Sequence, residues 1–412
     1  MVYTVLPVMF LAINPMLNDS ATIFRAFLLS TLPPLYFVFY KNNFNRYKKE
    51  FIALLLIITL YLMCWIVFQN QSYADFLFGA YGRGFGILPL AGLYLSIFIS
   101  ADRFLKESSY FFKFTYTTLV ISIVYGLFQS NGLDLFEYSN KSSGIRLTLG
   151  NANFASALLG ILSVIPLAYF YVDRSKKRFI HLFILFLTLI TIFQSDSSQG
   201  FIFWVINCVL FILFKSLENN RITIRKLSYI TVGLTSFLLF VFILLQDKPV
   251  IKSFVSYLNT NLQITGRYEH WLVGIRIWQN HQLYGVGIDN LNRYSGQYMS
   301  DQWSASLGGF VVPDKSHNTL IDHFANGGIV VGLLWLIFIT LVTWYCIKIQ
   351  TFNIESIEHW KINAVGCMWI TYLLQTFIST DHLMLSFIGY LSAGGIMAIY
   401  REGIKQKSEK YL

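Results

Sequence analysis

Residues 265–290 read TGRYEHWLVGIRIWQNHQLYGVGIDN, and residues 311–328 read VVPDKSHNTLIDHFANGG. Both segments are polar, and they lie between apolar runs that are mostly long enough to cross a bilayer. Because so little of the chain is polar, we expect its chemistry in these segments. The apolar runs are then the scaffold that holds them.

The composition of the 412-residue chain is typical of an integral membrane protein. Hydrophobic residues make up 55% of it, charged residues only 13%, and the mean hydropathy is +0.55. A soluble domain carries roughly 25% charged residues. The first residues, MVYTVLPVMFLAIN, have neither a basic leader nor a small-residue cleavage site, which predicts a retained first span.

Apolar windows of about 20 residues predict membrane-spanning helices. We expect an all-α integral membrane protein with about twelve transmembrane helices and one large, partly helical outward loop. Helices 1 to 9 fall in residues 1–246, the loop in 247–323, and helices 10 to 12 with a tail in 324–412. The expected spans cover roughly 2–14, 21–40, 51–69, 84–100, 110–131, 152–172, 179–194, 201–215, 228–246, 324–347, 362–380 and 383–400.

Alternate loops differ strongly in Lys and Arg content. One set includes KNNFNRYKKE at 41–50 and DRSKKR at 173–178, whereas the short loops of the other set hold only Arg83, Lys141 and Arg146. Basic loops stay cytoplasmic, so both termini are expected inside and the long loop outside. The net charge of +10 then reflects topology and anionic membrane lipid, not nucleic acid.

Neither a metal nor another cofactor is expected. The four cysteines lie within apolar runs, and the outward loop has no His/Asp/Glu cluster at ligand spacing and no Asp-x-Asp. The cysteines are interpreted as small core residues.

Some cations lie near the outward face against this charge bias: Arg25 a turn inside the second span, Arg83 after YG, and Arg146 before GNANFAS. A charge near hydrocarbon is costly and is kept mainly where it meets a partner. Either each side chain reaches lipid phosphates individually, or together with the cations of the loop, such as Arg276, they form a site for an anionic, membrane-delivered ligand.

Helical spacing of Ile264, Tyr268, Trp271 and Ile275 predicts an amphipathic helix at 266–280 on the membrane surface. Arg267 falls in its first turn, where the helix dipole disfavours a cation but favours an anion. A phosphate or diphosphate held by Arg267 fits this position. The alternative is an ion pair with Glu269 or another carboxylate.

The second polar segment predicts a short helix that Ser316 caps and that places His317 at its first position. A lone histidine is more often a packed residue than a catalyst, but its near-neutral pKa makes His317 the natural acid or base. Acidic alternatives for the base are Glu269, Asp289, Asp314 and Asp322, which are more often salt bridges or caps. Trp271 either stacks on sugar rings or lies in the headgroup belt.

The order of these motifs resembles the O-antigen ligase and polymerase superfamily of bacterial glycosyltransferases. The resemblance rests on G-R-x-x-x-W at 266–271, YGVGIDN at 284–290, SHNTLID at 316–322 and the following GG. GNANF at 150–154 is similar to the family's G-N-P-N segment, with Ala152 in place of proline.

The resemblance implies metal-independent, inverting transfer of a glycan from a polyprenyl-diphosphate carrier to an acceptor hydroxyl. The transfer would occur at the periplasmic side of the bacterial inner membrane, and the acceptor would be lipid A core, another glycan or a protein. By the match of motifs, Arg267 corresponds to the arginine that holds the donor diphosphate, and His317 with Asn318 to the His-Asn motif. Many ligases have S-R-G where this chain has S-Q-G, so Gln199 binds the diphosphate more weakly or relies on Arg25, Arg83 or Arg146.

Two activities, ligase and polymerase, stay open within this interpretation. A flippase or transporter of lipid-linked glycans is the alternative from another class, and it is expected to place polar groups along the middle of the membrane.

Overall fold

The computed structural model describes residues 2–12, 22–39, 47–68, 71–134, 144–218, 264–306 and 312–410. The span predicted at 228–246 and parts of the outward loop lie outside these ranges. Within them the secondary structure is helical, without strands. The α-helices are α1 Val5–Leu11, α2 Ile23–Phe39, α3 Lys48–Phe68, α4 Tyr73–Phe78, α5 Ile87–Ser130, α6 Ala152–Leu162, α7 Val164–Val172, α8 Arg178–Phe193, α9 Ser198–Glu218, α10 Ile264–Asn280, α11 Leu291–Tyr298, α12 Asp301–Ser306, α13 Thr319–Ile349, α14 His359–Ile378 and α15 Leu383–Lys410.

The fold is that of an all-α membrane protein. Six segments in the described ranges are long and apolar enough to cross a bilayer: α3, α5, α6 with α7, α9, α13 and α15. The shorter apolar helices α2 and α8 coincide with predicted spans. The total of twelve spans stays a prediction.

One pair of predicted spans is wrong. Residues 84–100 and 110–131 are predicted as two helices with a loop between them, but α5 runs without a break from Ile87 to Ser130. Its length is about 66 Å at 1.5 Å per residue, roughly twice the hydrocarbon thickness. The connecting residues 101–109 contain no Gly or Pro, and Arg103 approaches Glu107 one turn further on, at 3.9 Å. Because charges that pair along a helix do not break it, low hydropathy alone does not mark a loop here.

The first predicted span is also shorter than expected. A 3-10 turn at Val2–Thr4 leads into α1, which ends at Leu11. These residues extend about 15 Å, too little to cross the hydrocarbon core.

The long helix α5 forms the centre of the bundle, between α2 and α15. Glycines allow close contact on both sides: a Cβ at Gly92 would lie 1.9 Å from the Leu29 carbonyl oxygen, and one at Gly394 would lie 2.2 Å from the Ile97 oxygen. Small residues of this kind let membrane helices approach closely. The helices around α5 are therefore tightly packed.

The helix predicted at 266–280 is present as α10. It buries Val273 and Ile277 in a small apolar cluster with Val286, Leu291 and Ala325. This cluster holds α10 against the start of α13, so α10 packs on protein with one face.

The glycine turn at 285–287 docks on a kink in α13. Val286 N–H donates to the Ala325 oxygen at 3.0 Å, and Gly287 N–H donates to the Asn326 oxygen at 2.9 Å. At the kink, Gly328 has φ 71° and ψ −172°, and a Cβ there would lie 2.2 Å from the Leu283 oxygen. Only glycine tolerates both the dihedral angles and the contact. Gly328 therefore separates two helical stretches of α13, and the first stretch ends at the GG pair, as its glycines predict. The predicted loop boundary at 323/324 falls inside this first stretch.

Candidate functional site

Three segments meet at the N-terminal half of α10. Helix α10 contributes Arg267 and His270, the segment before α13 contributes Asp314 and His317, and the turn between α4 and α5 contributes Arg83. We call these five residues the arginine–histidine cluster. Its members share one electrostatic environment, since the other four all act on His317.

His317 is held in an unusual backbone conformation. Its φ is 56°, in the left-handed region that non-glycine residues rarely adopt. The Trp271 indole N–H donates to the His317 carbonyl at 3.3 Å. The centres of the His270 and His317 rings are 4.3 Å apart, and the rings meet edge to face. Trp271 therefore positions His317 in this structure. Strained conformations of this kind concentrate at functional sites.

The imidazole of His317 is neutral at ordinary pH. Burial, with the positive fields of His270, Arg83 and Arg267, lowers its pKa to about 3, while Asp314 acts in the opposite direction. Its Nδ1 atom is buried and has no hydrogen-bond partner in the described parts of the chain. A neutral imidazole with an uncommitted nitrogen can accept a proton from a hydroxyl.

Asp289 joins the segments that carry the cluster. Its Oδ2 accepts hydrogen bonds from Ala80 N–H at 2.8 Å and Phe85 N–H at 3.2 Å, and its other oxygen pairs with the Lys315 ammonium. Both charged side chains are buried, with exposures of 0% and 8%. Breaking such a pair costs roughly 3–5 kcal/mol because an uncompensated charge remains. This pair fixes the Arg83 turn against the segment that carries His317.

Asn318, not Ser316, caps the helix that follows. The Asn318 side-chain oxygen accepts from Leu320 N–H at 3.0 Å and Ile321 N–H at 3.2 Å, and its amide donates to the Phe377 oxygen at 3.0 Å. Helix α13 therefore starts at residue 319, and His317 precedes the cap, so the predicted start is wrong. Asn and Ser are about equally good caps, but the Ser316 hydroxyl already donates to the Asn318 carbonyl oxygen and to Asp322.

Arg267 is a buried cation with an uncommitted guanidinium. Its exposure is 9%, and burial lowers its pKa, although an arginine stays protonated in proteins. Among the residues that the structure describes, it makes no hydrogen bond and no ion pair. The alternative pairing with Glu269 or another carboxylate is thus not seen in those residues.

Arg83 is held by Asp314. The Arg83 Nε donates to Asp314 Oδ2 at 2.6 Å, a second guanidinium nitrogen also contacts that oxygen, and a third approaches Thr380 at 3.4 Å. Burial alone would raise the pKa of Asp314, but Arg83 and His317 outweigh it and hold that pKa below its usual value. Asp314 is therefore an anion inside a group of cations.

Arg25 lies within the helix bundle. It is fully buried and donates to the carbonyl oxygens of Met9 at 2.8 Å, Phe10 at 3.0 Å and Thr148 at 2.9 Å. These bonds tie α1 and α2 to the turn before α6. A substrate-binding role for Arg25 stays a prediction.

The remaining predicted residues are dispersed. Arg276 donates to the Tyr298 oxygen at 2.9 Å and so connects α10 to the end of α11. Arg146 is buried before α6. Gln199, in the first turn of α9, is buried with both polar atoms of its amide unpaired within the described ranges. A role for these three in substrate binding stays a prediction.

The described ranges hold no group of three or more His, Cys, Asp and Glu arranged to bind a metal ion. Independence from metal stays a prediction.

Two members of the cluster carry little signal in the sequence. His270 is one of several loop histidines, and only its spacing of three residues from Arg267 places it on the same helix face. Asp314 is expected as a salt-bridge residue, and it is one; that its partner is Arg83, 231 positions away, follows from no pattern.

Residues 182–336 match the family model described as O-antigen ligase. This range includes most of α8, all of α9 to α12 and the first part of α13, with every cluster member except Arg83. The match confirms the resemblance that the motifs predict.

A search of curated proteins finds similarity to a protein of Haemophilus influenzae (strain ATCC 51907 / DSM 11121 / KW20 / Rd), whose printed name is "Uncharacterized protein". The identity is 25% over 222 residues, which cover 52% of this chain and 54% of the relative. The chain therefore spans about half the length of the curated relative that it matches.

Proposed function

We propose that this protein is a membrane glycosyltransferase that moves a glycan from a polyprenyl-diphosphate carrier to an acceptor hydroxyl. The O-antigen ligase match indicates membrane glycan transfer in surface polysaccharide synthesis. One observation carries the finer proposal: the buried Arg267 cation, which has no partner among the described residues, acts electrostatically on a neutral histidine. The transfer takes place at the periplasmic side of the bacterial inner membrane.

The chemistry follows from these two groups. The acceptor oxygen attacks the anomeric carbon of the donor sugar, and the bond between that carbon and the diphosphate oxygen breaks. The carrier leaves as a diphosphate with one more negative charge, which Arg267 stabilises through charge-assisted hydrogen bonds. Attack opposite the leaving group inverts the anomeric centre.

His317 takes the proton of the attacking hydroxyl. With cations around it, its pKa of about 3 makes it a weak base. A bound diphosphate brings negative charge into the same space and favours the protonated imidazole. The donor thus raises the basicity of His317 only when a leaving group is in place.

The test is transfer by the purified full-length protein in lipid nanodiscs, with a polyprenyl-diphosphate glycan as donor and its acceptor glycolipid. We expect a glycosylated acceptor and free carrier diphosphate. His317→Gln should abolish the product, whereas His359→Gln, at the start of α14 and remote in sequence from the cluster, serves as the matched control. Translocation of donor without any transfer would contradict the proposal and favour a flippase.

Surface glycan of a deletion strain separates ligase from polymerase. A single repeat on lipid A core indicates a polymerase, which joins one carrier-linked repeat to another. Core without glycan, together with polymer retained on the carrier, indicates a ligase that acts on lipid A core. If neither the glycan on lipid A core nor the carrier-linked glycan changes, a protein acceptor is tested next by mass spectrometry.

A further inference from the structure

We propose that Asp314 is a displaceable counter-ion: it holds Arg83 until the diphosphate of the donor takes its place, and the freed carboxylate then faces His317. The inference rests on the proposed function and adds a residue that controls when the site becomes active.

The geometry of the pair supports an exchange. Asp314 uses one carboxylate oxygen for Arg83, with the Nε contact at 2.6 Å, and its side chain is 44% exposed. Arg83 itself is only 20% exposed. The cation is thus seated in the protein, while the anion on it lies toward solvent and can be replaced from that side.

A second ion pair, between Lys315 of the same segment and Asp289 after the glycine turn, cannot exchange in this way. The side chains of Lys315 and Asp289 are only 8% and 0% exposed. This buried pair and the two backbone hydrogen bonds to Asp289 keep the Arg83 turn in place. Asp314 can therefore leave without loss of the arrangement around Arg83.

The relative strengths of the contacts favour the diphosphate. An ion pair with one solvent-accessible member is weaker than a fully buried pair, because water and salt compete for its charges. A diphosphate offers several charged oxygens to the planar guanidinium fork, which binds such groups bidentately. It also meets Arg267 in the same cluster, so it gains a second cation that Asp314 does not engage.

Displacement changes the surroundings of His317. The charged and titratable groups that act on it are His270 and Arg267 from α10, Arg83 from the turn before α5, and Asp314 from its own segment. Once the diphosphate neutralises the two arginines, Asp314 remains as an anion three positions from His317. It stabilises the imidazolium that forms when the hydroxyl proton is taken, and so acts as a positioning and charge-compensating residue.

Binding of inorganic pyrophosphate to the full-length protein in nanodiscs tests the exchange. Asp314→Asn should bind pyrophosphate about two- to fivefold more tightly, because the competing anion is gone. Arg83→Gln should bind it more weakly, and the double variant should match Arg83→Gln. Asp75→Asn is the matched control, since Asp75 also forms an exposed ion pair, with Arg293, at 35% exposure; its affinity should not change.

Steady-state transfer gives a second readout. For Asp314→Asn we expect KM for the donor to fall and kcat to fall at least tenfold. Unchanged or weaker pyrophosphate binding by Asp314→Asn, or tighter binding that persists without Arg83, would overturn the inference. An undiminished kcat would overturn the role toward His317. In each of these cases the wild-type protein still transfers glycan, so the proposed function is judged separately.

Discussion

Replacing Arg267 by lysine separates its charge from its geometry. Lysine keeps the positive charge but loses the planar fork that makes paired hydrogen bonds to a diphosphate. The guanidinium is uncommitted in the described structure, so the substitution removes no described hydrogen bond or ion pair within the protein.

The expected loss follows from the contact removed. A charge-assisted hydrogen bond contributes roughly 1.5 to 3 kcal/mol, and 1.4 kcal/mol corresponds to tenfold. Arg267→Lys should therefore lower kcat/KM for transfer by about 10- to 140-fold. Arg267→Ala, which also loses the charge, should be worse.

The assay is transfer from the carrier-linked donor by purified variants, with the amount of protein in the membrane measured in parallel. Neither variant should reduce that amount, because Arg267 has no partner among the described residues and the burial of an unpaired cation opposes folding. Arg178→Lys, at the start of α8, is the control for the exchange of arginine for lysine. Unimpaired turnover of Arg267→Lys would refute the proposal that paired hydrogen bonds from the guanidinium are needed. Loss of Arg267→Ala from the membrane would show that Arg267 has a structural role.

Three further predictions concern His317, Asn318 and metal. The kcat/KM for transfer should vary less than about threefold between pH 5 and 8, because His317 in the free protein has a pKa of about 3 and is already neutral; a rise centred near pH 6.5 would contradict this. Asn318→Ala should lower the free energy of unfolding by about 1 kcal/mol through the lost cap, and Asn318→Asp should lower it less; equal melting temperatures would show that the cap is dispensable. Activity should survive EDTA; complete loss that magnesium or manganese restores would exclude metal independence.

Hydropathy identified the membrane helices well where the polar residues between two apolar windows coincide with the ends of helices in the structure. Helices α2, α3, α8 and α9 begin and end near the predicted bounds. It failed at α5, because residues 101–109 are polar enough to suggest a loop but contain nothing that breaks a helix. The helix α5 stays unbroken because of its local backbone geometry and paired charges, which window-averaged hydropathy does not detect.

Residue types and their order in the sequence identify part of the candidate site. Arg267 and His317 stand out because each is a polar group at an expected helix start, and their motif spacing resembles a known family. Their proximity is a matter of tertiary structure, since 50 positions separate them along the chain. Asn318 shows the limit of local rules: both Ser316 and Asn318 suit a helix cap, and the hydrogen bond to Phe377 is a contact that only the assembled bundle provides.

By itself the sequence determined the class of protein and the helix at 266–280, because these depend on composition and periodicity within a single segment. The tertiary structure alone decided which charges meet. It pairs Arg83 with Asp314, buries Asp289 with Lys315, and leaves Arg267 uncommitted in the described residues. Charge pairing depends on distance in space, and the chain brings these groups together through a glycine turn docked on a kinked helix.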